Sequence, residues 1–178
     1  MHSVVKSDIK PDEIIDILKS DALRSNIASP ITHWGHGDIR EPTLAAFIFY
    51  EAMRSLYFNE ERNAKASRPF VLEHSSKLEQ ACDEDRCDST TGEVRADLAL
   101  IDTNGKPLLW IEVKNIHNTK PLTKSILWKF RCDIKHSAQF DRGICIIIYE
   151  DLLNFSDYQS ELEELAAEQN VELLCIVV

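Results

Sequence analysis

The stretch LLWIEVKN, from Leu108 to Asn115, begins as an apolar strand and ends with Glu112 and Lys114 two positions apart. Because side chains alternate across a strand, those two charged groups project from the same face. An acid and a base at the end of a strand that otherwise suits a protein core call for a chemical reason. The sequence immediately before this strand supplies one.

A second strand precedes it and is joined to it by a turn. Residues 93–101, EVRADLALI, read as a strand, and the linker DTNGKP contains Asn104-Gly105. Asn-Gly between two apolar runs is the strongest short signal for a two-residue hairpin turn. The sequence therefore predicts an antiparallel hairpin in which Thr103 pairs with Lys106.

The same register continues along the hairpin and brings two acids together. It places Leu100 opposite Leu109 and Asp97 opposite Glu112. Directly opposed residues have Cβ atoms roughly 4.5–5.5 Å apart, so these carboxylates repel each other unless a cation lies between them. Mg²⁺ binds through one or two carboxylates and fills the rest of its shell with water and phosphate. The register predicts a Mg²⁺ site with Lys114 beside it.

Hydrophobic periodicity and turn signals predict an α/β fold with a mixed sheet, in which an antiparallel hairpin meets strands reached through helical crossovers. The run GICIIIY is continuously apolar, as in a strand covered on both faces. The predicted elements are a helix over Pro11–Lys19, a loop over Ser29–Asp38, a helix over Glu41–Asn59, strands over Pro69–His74, Glu93–Ile101 and Leu108–Lys114, a helix over Thr123–Phe140, a strand over Gly143–Tyr149, a helix over Ser156–Gln169 and a strand over 171–178.

The constellation Asp97 followed by Glu112-Val113-Lys114 resembles the D-(x)n-(D/E)-x-K signature of the PD-(D/E)XK nuclease superfamily, which has the restriction-endonuclease-like fold. The resemblance covers about residues 41–149, where the predicted order αβββαβ is that of the family core. The proline that usually precedes the aspartate is absent, and Ala96 stands there. The length of 178 residues predicts one domain, in which this core is flanked by an N-terminal helix and loop over 1–40 and a C-terminal helix–strand extension over 150–178.

The resemblance also implies an activity, the metal-dependent hydrolysis of phosphodiester bonds, with DNA as the expected substrate. Asp97 and Glu112 are then ligands of Mg²⁺, or of Mn²⁺ as a substitute, and the backbone carbonyl of Val113 is a third ligand. Lys114 is expected to orient or deprotonate the attacking water and to stabilise negative charge in the transition state.

Members of this superfamily often carry another acid on the first core helix. Glu41, at the start of that helix, is the first candidate, although an acid in a first turn also complements the helix dipole. Glu51 is the alternative on the same helix, and Glu73 is a weaker option. For contact with nucleic acid, the candidates are Lys124, Lys135, Gln139 and His117.

Charge is distributed unevenly along a chain of formal net charge −10. Between Lys114 and Arg142 there are seven Lys/Arg residues against two acids, Asp133 and Asp141. Such a segment suits a local polyanion site, and it equally suits a solvated helix face. The acidic remainder favours a basic partner subunit that delivers the DNA. The resemblance also implies a possible homodimer, since such families cut two strands. Two alternatives stay open, a non-catalytic module for nucleic-acid binding or assembly, and a structural hairpin that carries salt bridges.

The cysteine count and the apolar runs predict a cytoplasmic protein that does not enter a membrane. Five cysteines form no even framework, which favours reduced thiols. Cys82 and Cys87 flank DEDR without a second matching pair, so zinc is not expected there. Apolar runs of about eight residues fall well short of a membrane span, and the N-terminus has no secretory signal.

Overall fold

The computed structural model describes residues 9–34, 40–56, 70–77, 93–116, 124–149 and 156–177. These residues form a mixed α/β structure of five helices and five strands. The helices are α1 (Pro11–Lys19), α2 (Asp21–Trp34), α3 (Glu41–Ser55), α4 (Lys124–Ser137) and α5 (Ser156–Glu168). The strands are β1 (Phe70–Lys77), β2 (Glu93–Ile101), β3 (Pro107–Ile116), β4 (Gly143–Tyr149) and β5 (Val171–Val177).

The five strands form one sheet in the order β1-β2-β3-β4-β5. β1, β2 and β3 pair antiparallel, whereas β3, β4 and β5 pair parallel. A hairpin cannot join parallel strands, so α4 and α5 carry the chain across between them. The predicted mixed sheet is confirmed, and β3 is the strand at which its antiparallel and parallel halves meet.

The turn between β2 and β3 is longer than the predicted two-residue turn. The amide of Asp102 donates to the carbonyl of Lys106 at 2.9 Å, which leaves three residues between them, and Gly105 takes a φ of 80°. The carboxylate of Asp102 also accepts the amides of Asn104 and Lys106, both at 2.8 Å. The pairing of Thr103 with Lys106 was therefore wrong, because Asp102 closes a wider loop through its side chain.

A bulge in β3 restores the predicted register beyond that turn. Ile101 pairs with Pro107, and the next pair is Leu100 with Leu109, so Leu108 is an extra residue on β3. One additional residue in the turn is offset by one additional residue in the strand. The predicted pairing of Leu100 with Leu109 is confirmed, and the strand is aligned as expected toward the acidic end.

The regular alternation of β2 breaks at Asp97. Leu98 packs into one core cluster, whereas Ala96 packs with Trp110 in another, although residues two apart on a regular strand share a face. The neighbouring pairs of β1 and β2 place Glu73 opposite Asp97, and Glu73 has a φ of 52°. A left-handed backbone at a glutamate is uncommon, so the break in the sheet extends through both strands.

One face of the sheet is covered by the three N-terminal helices. Leu23 and Ile27 of α2 belong to the same buried cluster as β-strand residues such as Ile146 and Leu174. The predicted loop over residues 29–38 was therefore wrong as far as Trp34, because α2 continues through it. Pro30 removes one backbone donor, and the buried apolar residues that precede it hold the helix against the core.

The opposite face is covered by α4 and α5. Phe130 and Ile134 of α4 pack with Cys145 and Ile147 of β4 in a second buried cluster. β4 is buried along almost its whole length, as its apolar sequence predicts. The polar end of β3 therefore lies between a helix layer on each side. In the part of the chain that the structure describes, no helix is both long and apolar enough to cross a membrane.

Candidate active site

The ammonium group of Lys114 is the centre of a cluster of acids at the end of β3. Its Nζ lies 3.4 Å from Asp133 Oδ2, 3.7 Å from Glu112 Oε2 and 3.9 Å from Glu41 Oε2. The Lys114 side chain is 17% exposed, so water screens these contacts weakly. Three elements, β3, α3 and α4, thus place charged groups around one buried cation.

Glu112 is the most deeply buried acid of the cluster, at 6% exposure. Its Oε1 accepts a hydrogen bond from Trp110 Nε1 at 2.8 Å. Trp110 in turn stacks on Phe140, with ring centroids 4.1 Å apart and an interplanar angle of 5°. The fully buried indole therefore fixes one carboxylate oxygen of Glu112 and leaves Oε2 facing Lys114.

Asp97 lies where the ladder between β2 and β3 ends. The last paired residues on this side are Leu98 and Ile111, and beyond them Asp97 Oδ2 accepts the amide of Val113 at 2.7 Å. A side chain thus takes the place of a backbone acceptor and holds the two strands together. Asp97 acts electrostatically on both Glu112 and Lys114, while its predicted position directly opposite Glu112 lies beyond the last ladder pair and stays a prediction.

Glu41 approaches the cluster from the helix layer opposite to that of Asp133. It is the first residue of α3, and its Oε1 accepts the amide of Asn115 at 3.3 Å. The structure thus brings Glu41 to Lys114, while its role as a metal ligand stays a prediction. Glu73, the weakest of the three candidate acids, has a side chain that is 58% exposed and lies 4.0 Å from Arg95.

Glu51, the alternative acid on α3, forms hydrogen bonds with Asn26 and Arg54. Its Oε2 accepts hydrogen bonds from Asn26 Nδ2 at 2.8 Å and from Arg54 Nη2 at 2.7 Å. The residue is buried and joins α3 to α2, so these bonds give its carboxylate a structural role. Of the two acids proposed on this helix, Glu41 is the one near Lys114.

Asp133 is the residue of the cluster that sequence reasoning missed. It was counted as one of two acids in a basic segment, although a signal was present in the helical pattern. Phe130, Ile134 and Ser137 are buried, and Asp133 lies on the same side of the helix at spacings of three, one and four residues. An acid in the apolar stripe of a helix is costly to bury, so it needs a partner.

Burial and mutual repulsion perturb these acids in a common direction. Burial raises the pKa of Glu112 to about 8, with further increases from Asp133 and Asp97 against a decrease from Lys114. Burial likewise raises the pKa of Asp133 to about 6, again opposed by Lys114. Burial lowers the pKa of Lys114, but attraction by Asp133, Glu112 and Glu41 outweighs it and leaves the pKa above its ordinary value. The single ammonium group of the cluster therefore does not neutralise all of its carboxyl groups.

The donor set suits a hard divalent cation. The described residues contain no group of three or more His, Cys, Asp or Glu side chains spaced to hold a metal ion. Mg²⁺ needs one or two carboxylates and takes water or phosphate for the rest of its shell. Asp97 Oδ1 has no hydrogen-bond partner in the described part of the chain, and the raised pKa of Glu112 marks a carboxyl group that a cation would ionise. These residues fit Mg²⁺.

Of the four predicted nucleic-acid contacts, the structure describes the side chains of Lys135 and Gln139. His117 and the side chain of Lys124 lie outside the described residues. Lys135 is two residues after Asp133 in α4, which turns it roughly 200° away around the helix. Gln139 follows the end of α4, where its amide donates to the carbonyl of His136 at 3.1 Å. Their roles stay predictions. Cys82 and Cys87 also lie outside the described residues.

The similarity of this chain to known proteins is limited. No protein-family model matches the chain, and no curated protein matches it. A solved structure of SfsA from Pyrococcus furiosus, in complex with Ca²⁺, is similar at 11% identity and a TM-score of 0.39. The match covers 75% of this chain and 56% of the SfsA chain. A likeness at this level assigns neither a family nor an activity.

Proposed function

We propose that this protein is a metal-dependent nuclease of the PD-(D/E)XK superfamily, with DNA as its substrate. The observation that carries the proposal is the position of Lys114, whose ammonium lies within 4 Å of three carboxylates. Asp97, the fourth acid of the cluster, lies on the adjacent strand and has one oxygen free of hydrogen bonds in the described residues. Asp97, Glu112 and Lys114 are the groups that the signature combines.

The arrangement of elements around the cluster supports the same proposal. Among the described elements, the order α3, β1, β2, β3, α4, β4 is the order αβββαβ that the resemblance implies. The motif acids come from adjacent strands of an antiparallel pair, and helices flank the sheet on both faces. Fold alone does not assign an activity, so the proposal depends on the acids and the lysine.

Each residue then has a chemical task. Asp97 and Glu112 would hold Mg²⁺, or Mn²⁺ in its place, and the ion supplies a Lewis acid that polarises the phosphate and lowers the pKa of a bound water. Trp110 keeps Glu112 in one orientation through its hydrogen bond to Oε1. Asp97 is kept in place by the amide of Val113. Both strand carboxylates are therefore oriented before any ligand arrives.

Lys114 acts in this proposal as a cation rather than as a base. The surrounding carboxylates raise its pKa, so the side chain enters the reaction as an ammonium. An ammonium beside the reacting phosphate stabilises the negative charge that develops on the phosphate oxygens in the transition state. Its Nζ already lies near the acids, which reduces the reorganisation needed on binding.

The test begins with calorimetric titration of Mn²⁺ at low salt. We expect the wild-type protein to bind, Asp97→Asn and Glu112→Gln to lose binding, and Asp141→Asn to bind as the wild type does. Asp141 is a matched control because it is an exposed acid paired with Lys106 at 3.1 Å. Absence of Mn²⁺ binding in the wild type, both alone and with a short DNA duplex, would overturn the proposal.

Cleavage is then measured on linear duplex, plasmid and single-stranded DNA. We expect Mg²⁺-dependent cleavage of at least one substrate by the wild type and none by Asp97→Asn. A protein that binds Mn²⁺ and DNA without cutting any substrate would instead be a non-catalytic module of the same fold. The two measurements thus separate the proposed enzyme from its principal alternative.

A further inference from the structure

Asp133 is the acid closest to the Lys114 ammonium, and it comes from outside the strand motif. The separation of Asp133 Oδ2 and Lys114 Nζ is 3.4 Å, and the Asp133 side chain is 21% exposed. A carboxylate buried to this degree is costly unless it has a charged or hydrogen-bonded partner. Lys114 is that partner, and a hydrogen bond between the two side chains contributes to the pKa of Asp133.

The packing of α4 holds Asp133 in this position. Phe130 and Ile134, on either side of it in the helix, are buried against β4. One turn later, Ser137 Oγ donates to the carbonyl of Asp133 at 2.8 Å. Gly143, at the start of β4, has no side chain, and a Cβ there would lie 2.6 Å from the carbonyl oxygen of Ser137. The close approach of helix and strand therefore fixes the distance from α4 to the sheet.

The other acids of the cluster have partners besides Lys114. Glu112 accepts the indole of Trp110, and Glu41 accepts the amide of Asn115. In the part of the chain that the structure describes, the Asp133 carboxylate has Lys114 as its hydrogen-bond partner. Lys114 and Asp97, by contrast, form no ion pair within 4.0 Å among the described residues. Among the described residues, the ammonium therefore forms an ion pair with Asp133 of α4 but not with Asp97.

We propose that Asp133 is a positioning residue that anchors the Lys114 ammonium to α4 and so keeps the Asp97 carboxylate, on the adjacent strand, open to a metal ion. The proposal deepens the proposed function, on which it rests for its catalytic consequence. The acids of the cluster then have different roles. Asp97 and Glu112 would hold the metal ion, whereas Asp133 orients the lysine that would act beside it.

The first test observes the ammonium directly in the metal-free protein. A lysine NH₃⁺ that is held by hydrogen bonds and shielded from water exchanges its protons slowly and gives a resolved ¹H–¹⁵N NMR signal. We expect such a signal for Lys114, identified by its absence in Lys114→Arg. We expect Asp133→Asn to remove it, Asp133→Glu to keep it at a shifted position, and Asp141→Asn to leave it unchanged. An unchanged signal in Asp133→Asn, or no such signal in the wild type, would overturn the proposal.

The second test separates positioning from metal ligation. We expect Asp133→Asn to bind Mn²⁺ with an affinity within about threefold of the wild type, while kcat for DNA cleavage falls about 10- to 100-fold and Asp133→Glu recovers part of it. Loss of Mn²⁺ binding in folded Asp133→Asn would make Asp133 a ligand and overturn the proposal. A wild-type protein that neither binds Mn²⁺ nor cuts DNA would refute the proposed nuclease, and the NMR signal would still decide the contact between Asp133 and Lys114.

Discussion

The carboxylate of Asp97 accepts the backbone amide of Val113 at 2.7 Å, at the level where the β2–β3 ladder ends. One residue therefore has two tasks, because Oδ2 satisfies a backbone donor while Oδ1 has no hydrogen-bond partner among the described residues. Val113 is fully buried, so its amide has no water to replace the carboxylate. Substitutions at Asp97 can separate the two tasks if they keep or remove the acceptor oxygen.

We predict that Asp97→Asn unfolds at nearly the wild-type urea concentration, whereas Asp97→Ala loses about 1–3 kcal/mol of unfolding free energy, the cost of a buried donor left unpaired. The asparagine keeps an oxygen for the Val113 amide, and the alanine does not. Both variants lose Mn²⁺ binding because both lack the charge. Equal stability of the two variants would show that the Val113 contact contributes little to folding.

The raised pKa of Glu112 predicts that the stability of the metal-free protein depends on pH. Its pKa rises from 4.5 to about 8 on folding, so the folded state holds a proton that the unfolded state releases. Its favourable contribution is complete below about pH 4.5 and is lost as the pH rises toward about 8, at roughly 1.4 kcal/mol per pH unit or less. The expected result is a melting temperature that falls between pH 5 and pH 8 in the presence of EDTA.

Glu112→Gln is the matched variant for that dependence. The glutamine keeps an oxygen for Trp110 Nε1 but cannot ionise, so the variant should be more stable than the wild type at pH 8 and similar at pH 5. Asp141→Asn, which changes an exposed acid, should follow the wild-type profile. A Glu112→Gln profile that falls as steeply as that of the wild type would assign the dependence to other groups.

Metal binding should release a proton from the same carboxyl group. A divalent ion needs the ionised form, and near pH 7 Glu112 is largely protonated. We predict that Mn²⁺ binding at pH 7 releases up to about one proton and that the release diminishes by pH 9. Calorimetry in buffers of different ionisation enthalpy measures it. A buffer-independent enthalpy at pH 7 would mean that Glu112 is already ionised or is not a ligand.

The hairpin could be predicted from the sequence because its signals are local. Asn104-Gly105 marks the turn, and alternation along the two strands sets which residues meet. The predicted turn was one residue too short, because the Asp102 carboxylate accepts two amides and widens the loop. The bulge at Leu108 cancelled that error, so Leu100 still pairs with Leu109 as the shorter turn implied.

The non-local parts of the site were harder to predict. Asp133 reaches Lys114 because α4 docks on β4, and no spacing along the sequence encodes the rotation of a helix against a sheet. The extension of α2 was missed because Pro30 looks like an end, although a proline removes one donor and leaves earlier apolar contacts intact. Glu41 could be predicted because the resemblance supplied the expectation of a first-helix acid.

Removing the cation from the cluster should destabilise the fold and leave the acids more receptive to metal. We predict that Lys114→Met loses about 3–5 kcal/mol at pH 8, as when a buried pair loses one partner. The loss should shrink as the pH falls from 8 toward 5, because Glu112 and Asp133, with pKa values of about 8 and about 6, take up protons. Mn²⁺ should raise the melting temperature of the variant more than that of the wild type.

Lys106→Met is the control for Lys114→Met. Lys106 is 57% exposed and pairs with Asp141 on the surface, so its loss should cost about 1 kcal/mol or less. Urea unfolding at pH 8 and pH 5 compares the two. Similar losses for both lysines would contradict a concentration of unneutralised acid around Lys114, and cleavage by Lys114→Met would remove this residue from the proposed chemistry.

Substitution of Glu73, which lies opposite Asp97, tests whether its strained backbone or its carboxylate matters to the protein. Its φ of 52° costs an L-residue about 1–2 kcal/mol, whereas glycine adopts it freely but loses about 0.5–1 kcal/mol through its more flexible unfolded chain. We predict that Glu73→Gly raises the unfolding free energy by about 0.5–1 kcal/mol. Ser75→Gly, at an exposed position without a positive φ on the same strand, should lower it by about 0.5–1 kcal/mol.

We expect Glu73→Gly to bind Mn²⁺ as the wild type does, because the exposed Glu73 carboxylate pairs with Arg95. Weakened binding in a stabilised variant would instead make Glu73 part of the metal site and would mean that the strained backbone holds this acid in place for that purpose.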